Sequence, residues 1–312
     1  MKSNLLILST VIGYVCLVIT MNMISKTSLA SKIYTELDAD LIRYTEGINA
    51  SPIEPRKDEI YHFIPGLDAM IVDYVSSYNV MMMNGGFDTD LIVCESIPTQ
   101  TNPEVFMDEP IYKGNEAGRY VSLLINVAWG NAEVEKMLEI LEAQNVKATF
   151  FFEGRYAMKH LDQVKQIQEA GHLIGNHSYS HPSEWGELSY EGFKDEMVKT
   201  NEILSEVVNE PITYFAPPGG EFNDITLQAA ADLNMYSILW TVDTIDWKGE
   251  SSEVILKRVL NKVTPGAFVL MHPKEETVKA LEPMIETLKK EGYHFKTVEE
   301  MVKGTRPECH PH

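Results

Sequence analysis

From residue 118 to residue 304, short apolar runs alternate with amphipathic ones, and this alternation restricts the fold more than any other feature of the sequence. Residues 121–127 are largely apolar over a full strand length, which suits a strand buried on both faces of a parallel sheet. Residues 134–141 follow with helical spacing, and Asn145 is a plausible stop. Further strands are expected at 149–152, 172–175, 212–215, 237–240 and 267–270. Helices are expected at 161–170, 190–208, 225–233 and 254–263. Repeated β-α units imply a parallel sheet, and in the barrel form all strand ends open onto one face.

The residues able to do chemistry sit at or just after the ends of these strands. The stretch 174–182, IGNHSYSHP, places His177 and His181 four residues apart. Neutral imidazole is a good ligand for a divalent metal, and an i, i+4 pair shares one face wherever the backbone is locally helical. Pro217, Pro218, Gly219 and Gly220 form a rigid turn. Asp243 and Asp246 precede Trp247, and Leu270 precedes His272 by two residues. Trp129 and Gly130 follow the first strand, where an indole offers a stacking face for a sugar or a core filler. His172 and His294 begin strands and read as structural.

In order and spacing, over roughly residues 118–302, these segments resemble the polysaccharide deacetylases, the NodB-homology carbohydrate esterases. His177, Ser178 and His181 match the second motif. Residues 216–220 resemble the third, Asp243 to Trp247 the fourth, and Leu270 to His272 the fifth. The resemblance implies a distorted (β/α) barrel and metal-assisted hydrolysis of a sugar acetamide. By that resemblance His177 and His181 are metal ligands, zinc being the expected ion, and His272 is the general acid. Asp246 orients His272, with Asp243 as runner-up. Trp129, Pro217, Pro218, Gly219, Trp247 and Leu270 line the substrate groove.

The first motif departs from the family pattern. Asn126 stands at the catalytic-base position, where a side-chain amide is no useful proton acceptor. Val127 stands at the metal-ligand Asp and cannot ligate, and Ala216 replaces the Arg that pairs with the base. Both members of a charge pair are lost together, so no uncompensated charge is left. Two histidines without a carboxylate form an incomplete shell, unless Asp243, Asp246 or Glu221 supplies an oxygen. The stretch Val127-Ala128-Trp129-Gly130-Asn131 resembles the branch associated with spore formation. Two functions follow as expectations: a deacetylase-like protein acting on or binding N-acetylated cell-wall glycan, peptidoglycan or chitin-like, or a catalytically silent glycan-binding or scaffold protein of the envelope.

The rest of the chain sets the context. Residues 5–24 are mostly apolar and carry no charge, close to the ~20 residues that cross a bilayer, so residues 1–30 are expected to be a signal peptide or membrane anchor. Residues 31–117 are expected to hold a small α/β module, read as β-α-β over 59–96 with a strand at 91–94, and linkers. Met81, Met82 and Met83 there read as core filler. Residues 118–304 form the main domain, and 305–312 a tail whose Cys309, His310 and His312 resemble a metal cluster only in composition. With 26 Lys and Arg against 46 Asp and Glu, the net charge of -20 disfavours nucleic acid as a partner. Of three cysteines, Cys16 lies in the leader, which leaves at most one bridge in the remainder.

Overall fold

The structure is a computed structural model that describes residues 36–306. The expected leader and the Cys309–His312 tail lie outside the described residues. Two compact units are present. Among the described residues, one gathers 36–51 and 69–97, and the other gathers 52–68 and 98–306. Residues 52–68 and 98–117, grouped with the small module on sequence, thus cluster with the large unit.

The small unit contains a helix over residues 36–48 (α1), strand β3 (Ala69–Val72), helix α2 (Tyr74–Asn84) and strand β4 (Cys94–Ile97), with β3 and β4 antiparallel. Asp73 starts α2 by accepting the Ser76 N–H at 3.0 Å, and Gly85, at φ 97°, ends it. Leu37, Leu41, Val72, Met81 and Ile92 form its core. Of the methionine run only Met81 is fully buried, while Met83 is 80% exposed. The strand expected at 91–94 begins only at Cys94, because residues 89–91 close a 3₁₀ turn capped by Asp88. Cys94 is disulfide-bonded.

In the large unit β1 (Arg56–Asp58) and β2 (His62–Ile64) make an antiparallel pair. The main sheet contains β5 (Tyr120–Val127), β6 (Thr149–Phe152), β7 (Leu173–Asn176), β8 (Tyr214–Phe215), β9 (Tyr236–Ser237), β10 (Val242–Asp243), β11 (Phe268–Met271) and β12 (His294–Phe295). Its order is β10-β11-β5-β6-β7-β8-β9, with β12 also on β5, and every pair is parallel. The strand expected at 237–240 ends at Ser237, and β10, too short for a periodicity signal, was not expected. The helices are α3 (Asn131–Ala143), α4 (Gly154–Ala157), α5 (Leu161–Glu169), α6 (Tyr190–Val208), α7 (Asp224–Asp232), α8 (Ser252–Lys262), α9 (Glu275–Lys290) and α10 (Val298–Lys303). Long α9 and short α10 were absent from the sequence reading.

All eight residues of β5 are buried, and alternate residues turn to opposite faces of the sheet. Val121, Leu123, Ile125 and Val127 join the cluster built with helix residues such as Val134, Met137, Ile255 and Leu281. Leu124 joins Phe151, Tyr214, Ala216 and Phe268 in a second cluster on the other face. Each fully buried aliphatic side chain contributes roughly 1.5–3 kcal/mol, so slipping β5 by one residue would misplace a large share of both cores. Register is therefore tightly set, and it fixes which face Asn126 and Val127 take.

Candidate functional site

The parallel register carries one face of the sheet up to the histidines. Asn126 pairs with Phe151, which pairs with Gly175, so His177, two residues beyond Gly175, emerges on the face taken by Asn126. Ala216, two residues beyond Tyr214, lies on that face as well. On β11 the last pair is Met271 with Ile125, which places His272 next to Asn126. Val127 takes the opposite face and is fully buried in the helix-side core.

The histidine loop is not helical. Ser178 and His181 both adopt left-handed backbone conformations, at φ 62° and 47°. Asn176 accepts the Ser178 N–H at 2.8 Å, and Ser178 Oγ accepts the His181 N–H at 3.0 Å. Glu196 of α6 accepts the N–H groups of Tyr179 and Ser180 and the Ser180 hydroxyl, at 3.0, 2.8 and 2.8 Å. This turn, not a shared helix face, brings the two rings together, with centroids 5.0 Å apart and planes at 67°. His177 is buried and donates from Nδ1 to the Ala216 carbonyl at 2.7 Å, which leaves Nε2 as an acceptor. Its burial, then the nearby His181 and His272, push its pKa down to about 3 against the opposing Ala216 hydrogen bond. His181 is exposed.

His272 is held on three sides. Its Nδ1 pairs with Asp246 Oδ1 at 2.8 Å, and its backbone N–H donates to Asp246 Oδ2 at 2.7 Å. Thr277 Oγ1, from the first turn of α9, donates to the same Oδ2 at 2.8 Å. The Trp129 indole stacks on the imidazole at 5.7 Å and 10°. Burial by itself would raise the Asp246 pKa, but the hydrogen bonds and charge of His272, with Thr277, outweigh it and leave the carboxyl below its ordinary value. Asp246, not Asp243, orients the histidine. Asp243 Oδ1 instead accepts the Ile245 N–H at 2.7 Å and shapes a turn.

The wall carrying Asn126 is different. Asn126 is 4% exposed, and its Oδ1 has no hydrogen-bond partner. A buried acceptor without a donor costs about 1–3 kcal/mol. Ala216, at 2% exposure, adds only a methyl group, and Glu221 is exposed. Among the described residues no group of three or more His, Cys, Asp or Glu side chains is placed to hold a metal ion. Two imidazoles with valine at the carboxylate position do not fit a divalent ion, which needs at least a third protein donor.

Of the other expected groove residues, Trp129 and Trp247 are 45% and 55% exposed, with Lys274 and Lys248 above their rings at 6.0 and 5.1 Å. Gly219 is exposed on its turn, whereas Pro217, Pro218 and Leu270 are buried. Gly220 has φ 71°, and a Cβ there would lie 2.6 Å from the Trp240 ring, so the turn requires glycine. Sequence reasoning missed Thr277 and Glu196, which hold the site from helices. It also missed a cleft of ≈ 450 Å³ beside Trp129, lined by Glu153, Arg155, Tyr156, Lys159 and His160. Burial raises the Glu153 carboxyl against its bond from the Tyr156 N–H. The signal for Glu153 was its place immediately after β6.

Comparisons with known proteins agree with this geometry. Residues 113–238 match the family model described as polysaccharide deacetylase. An uncharacterized Bacillus subtilis protein, YlxY, is 38% identical over 86% of this chain and 83% of its own length. A Bacillus cereus peptidoglycan-N-acetylglucosamine deacetylase is 36% identical over 55% of this chain and 64% of its own length. Among solved structures, BA3943 of Bacillus anthracis, described as a CE4 family pseudoenzyme, superposes with a TM-score of 0.77 at 38% identity, covering 88% of this chain and 96% of that one. A mutant of BA3943 has restored enzymatic activity.

Proposed function

The chain belongs to the polysaccharide deacetylase family, and on that premise we propose that it is a silent member, which binds cell-wall glycan in the groove at the strand ends and does not hydrolyse it. One observation carries the reading. Where the family's hydrolysis needs a base and a carboxylate ligand, this chain has an amide, Asn126, and a valine turned into the helix-side core. The His272 side supports it: His272 is hydrogen-bonded to Asp246, and Trp129, stacked on His272, is 45% exposed and could meet a pyranose ring. The likeness to a pseudoenzyme at 38% identity supports this, and the deacetylase relatives supply peptidoglycan as the ligand class.

His177, His181, His272 and Asp246 then act as groove walls, with zinc binding lost or weak. The charge-free apolar run at residues 5–24 supports an extracytoplasmic chain, secreted or anchored to the membrane. The disulfide at Cys94 fits an oxidising compartment.

The test measures glycan binding and acetate release by the full chain, with chitooligosaccharide and peptidoglycan fragments, in the presence of zinc. The expected result is binding without acetate release, and release once Asn126→Asp, Val127→Asp and Ala216→Arg are combined, the carboxylate at 127 turning out of the helix-side core toward His177 and His181 because a charge is not left among apolar side chains. Metal-dependent release by the unaltered chain overturns the silent reading. Failure to bind either glycan removes the ligand class.

A further inference from the structure

The cleft of ≈ 450 Å³ beside Trp129 takes no part in the site at His272, yet it shares a wall with it: the indole that stacks on His272 also lines the cleft, with Arg155, Tyr156 and Lys159. Its size falls within the roughly 300–1,000 Å³ of small-ligand pockets. Arg155 and Lys159 are exposed. Arg155 lies over the Tyr179 ring at 5.5 Å, and among the described residues neither cation forms a salt bridge. The one carboxyl in the cleft, Glu153, is 7% exposed, and its Oε2 accepts the Tyr156 N–H at 2.6 Å. Glu135 of α3 is engaged by Asn131 Nδ2 at 3.2 Å and lines a neighbouring cleft. Two accessible cations against one buried carboxyl leave a local positive excess in a chain whose net charge is -20. Such a spot attracts an anion that the rest of the surface repels.

We propose that Arg155 and Lys159 form a subsite for an anionic substituent, a carboxylate or a phosphate, carried by a glycan whose sugar ring rests on Trp129. The inference rests on the glycan-binding reading above and adds recognition of charge to it. A guanidinium presents a planar fork of donors that matches two oxygens of either group, and the ammonium beside it adds a point charge. Both cations are exposed, so dissolved salt screens their attraction. A neutral sugar gains nothing from either.

Calorimetric titration of the full chain with three tetrasaccharides tests this: neutral chitotetraose, a peptidoglycan tetrasaccharide bearing lactyl carboxylates, and chitotetraose phosphorylated at O6. In low salt the unaltered chain should bind at least one of the two anionic ligands roughly ten-fold tighter than the neutral one, as charge-assisted hydrogen bonds allow, and the anionic ligand that wins identifies the source of the charge. High salt should shrink the advantage. Arg155→Gln combined with Lys159→Gln should remove it at an unchanged thermal midpoint, since both side chains are exposed, and Lys159→Glu should turn it into a penalty. Binding of chitotetraose with no advantage for either anionic ligand overturns this inference alone. An advantage that survives in the double variant also overturns it. Absence of binding by all three overturns the glycan reading and this inference with it.

Discussion

The His272 side of the site and the Asn126 side beside it are built from adjacent strands, yet Asp246 on the first is fully hydrogen-bonded and Asn126 Oδ1 on the second is not. On the first, one carboxylate takes three hydrogen bonds and holds an imidazole under a tryptophan. On the second, a buried carbonyl oxygen is unpaired and the neighbouring positions are valine and alanine. The contrast shows how one side of such a site can be replaced while the other stays intact. Asp246 cannot be removed without stranding the His272 N–H and the Thr277 hydroxyl. The base, its arginine partner and the ligand carboxylate can be replaced together, because no charge is then left unpaired.

The largest effect should come from breaking the satisfied wall. Asp246→Ala should cost about 2–4 kcal/mol in urea denaturation, since it leaves buried donors without an acceptor. A cost below ~1 kcal/mol would mean that this wall is not structural. Lowering pH probes the histidines next. The folded pKa of His177 is about 3 and that of buried His172 about 4, both below the ordinary 6.5. Above 6.5 their neutral forms are matched in both states. As pH falls below it the unfolded chain binds protons that the folded chain refuses, so stability declines, by up to ~1.4 kcal/mol per pH unit for each histidine. His177→Asn should flatten this slope, and an unchanged slope would place the acid sensitivity elsewhere.

Asn126→Leu sharpens the comparison from the other side. Removing an orphan acceptor should leave stability unchanged or raise it by up to ~1 kcal/mol, whereas an acceptor in a native hydrogen bond would be missed. Trp129→Ala should alter unfolding least, by under ~0.5 kcal/mol for a half-exposed side chain, yet reduce glycan affinity roughly ten-fold. Retained affinity would exclude that indole from the groove.

Much of this arrangement was legible in the sequence because β5 and β6 are unbroken apolar runs, α6 has helical spacing, and their boundaries fall within a residue or two of expectation. The pairing of His272 with Asp246 was legible from motif order. The second partner of Asp246 was not, since Thr277 is 31 residues from it in the chain and belongs to a helix the sequence reading omitted. Nor did the continuous apolar run of β5 reveal which face each residue takes, and only the pairing with β6 separates Asn126 from Val127. Four-residue spacing would put His177 and His181 on one face only where the backbone is helical, and here two left-handed residues and the Glu196 brace make a turn that does the same.

The central claim is that the Asn126 wall has lost the capacity for metal-assisted hydrolysis, and zinc titration of the full chain tests it most directly, beside His177→Ala and the combined Asn126→Asp, Val127→Asp, Ala216→Arg variant. The account predicts no zinc in the parent above the His177→Ala control and stoichiometric zinc in the combined variant. Stoichiometric zinc in the parent, lost on His177→Ala, would contradict it.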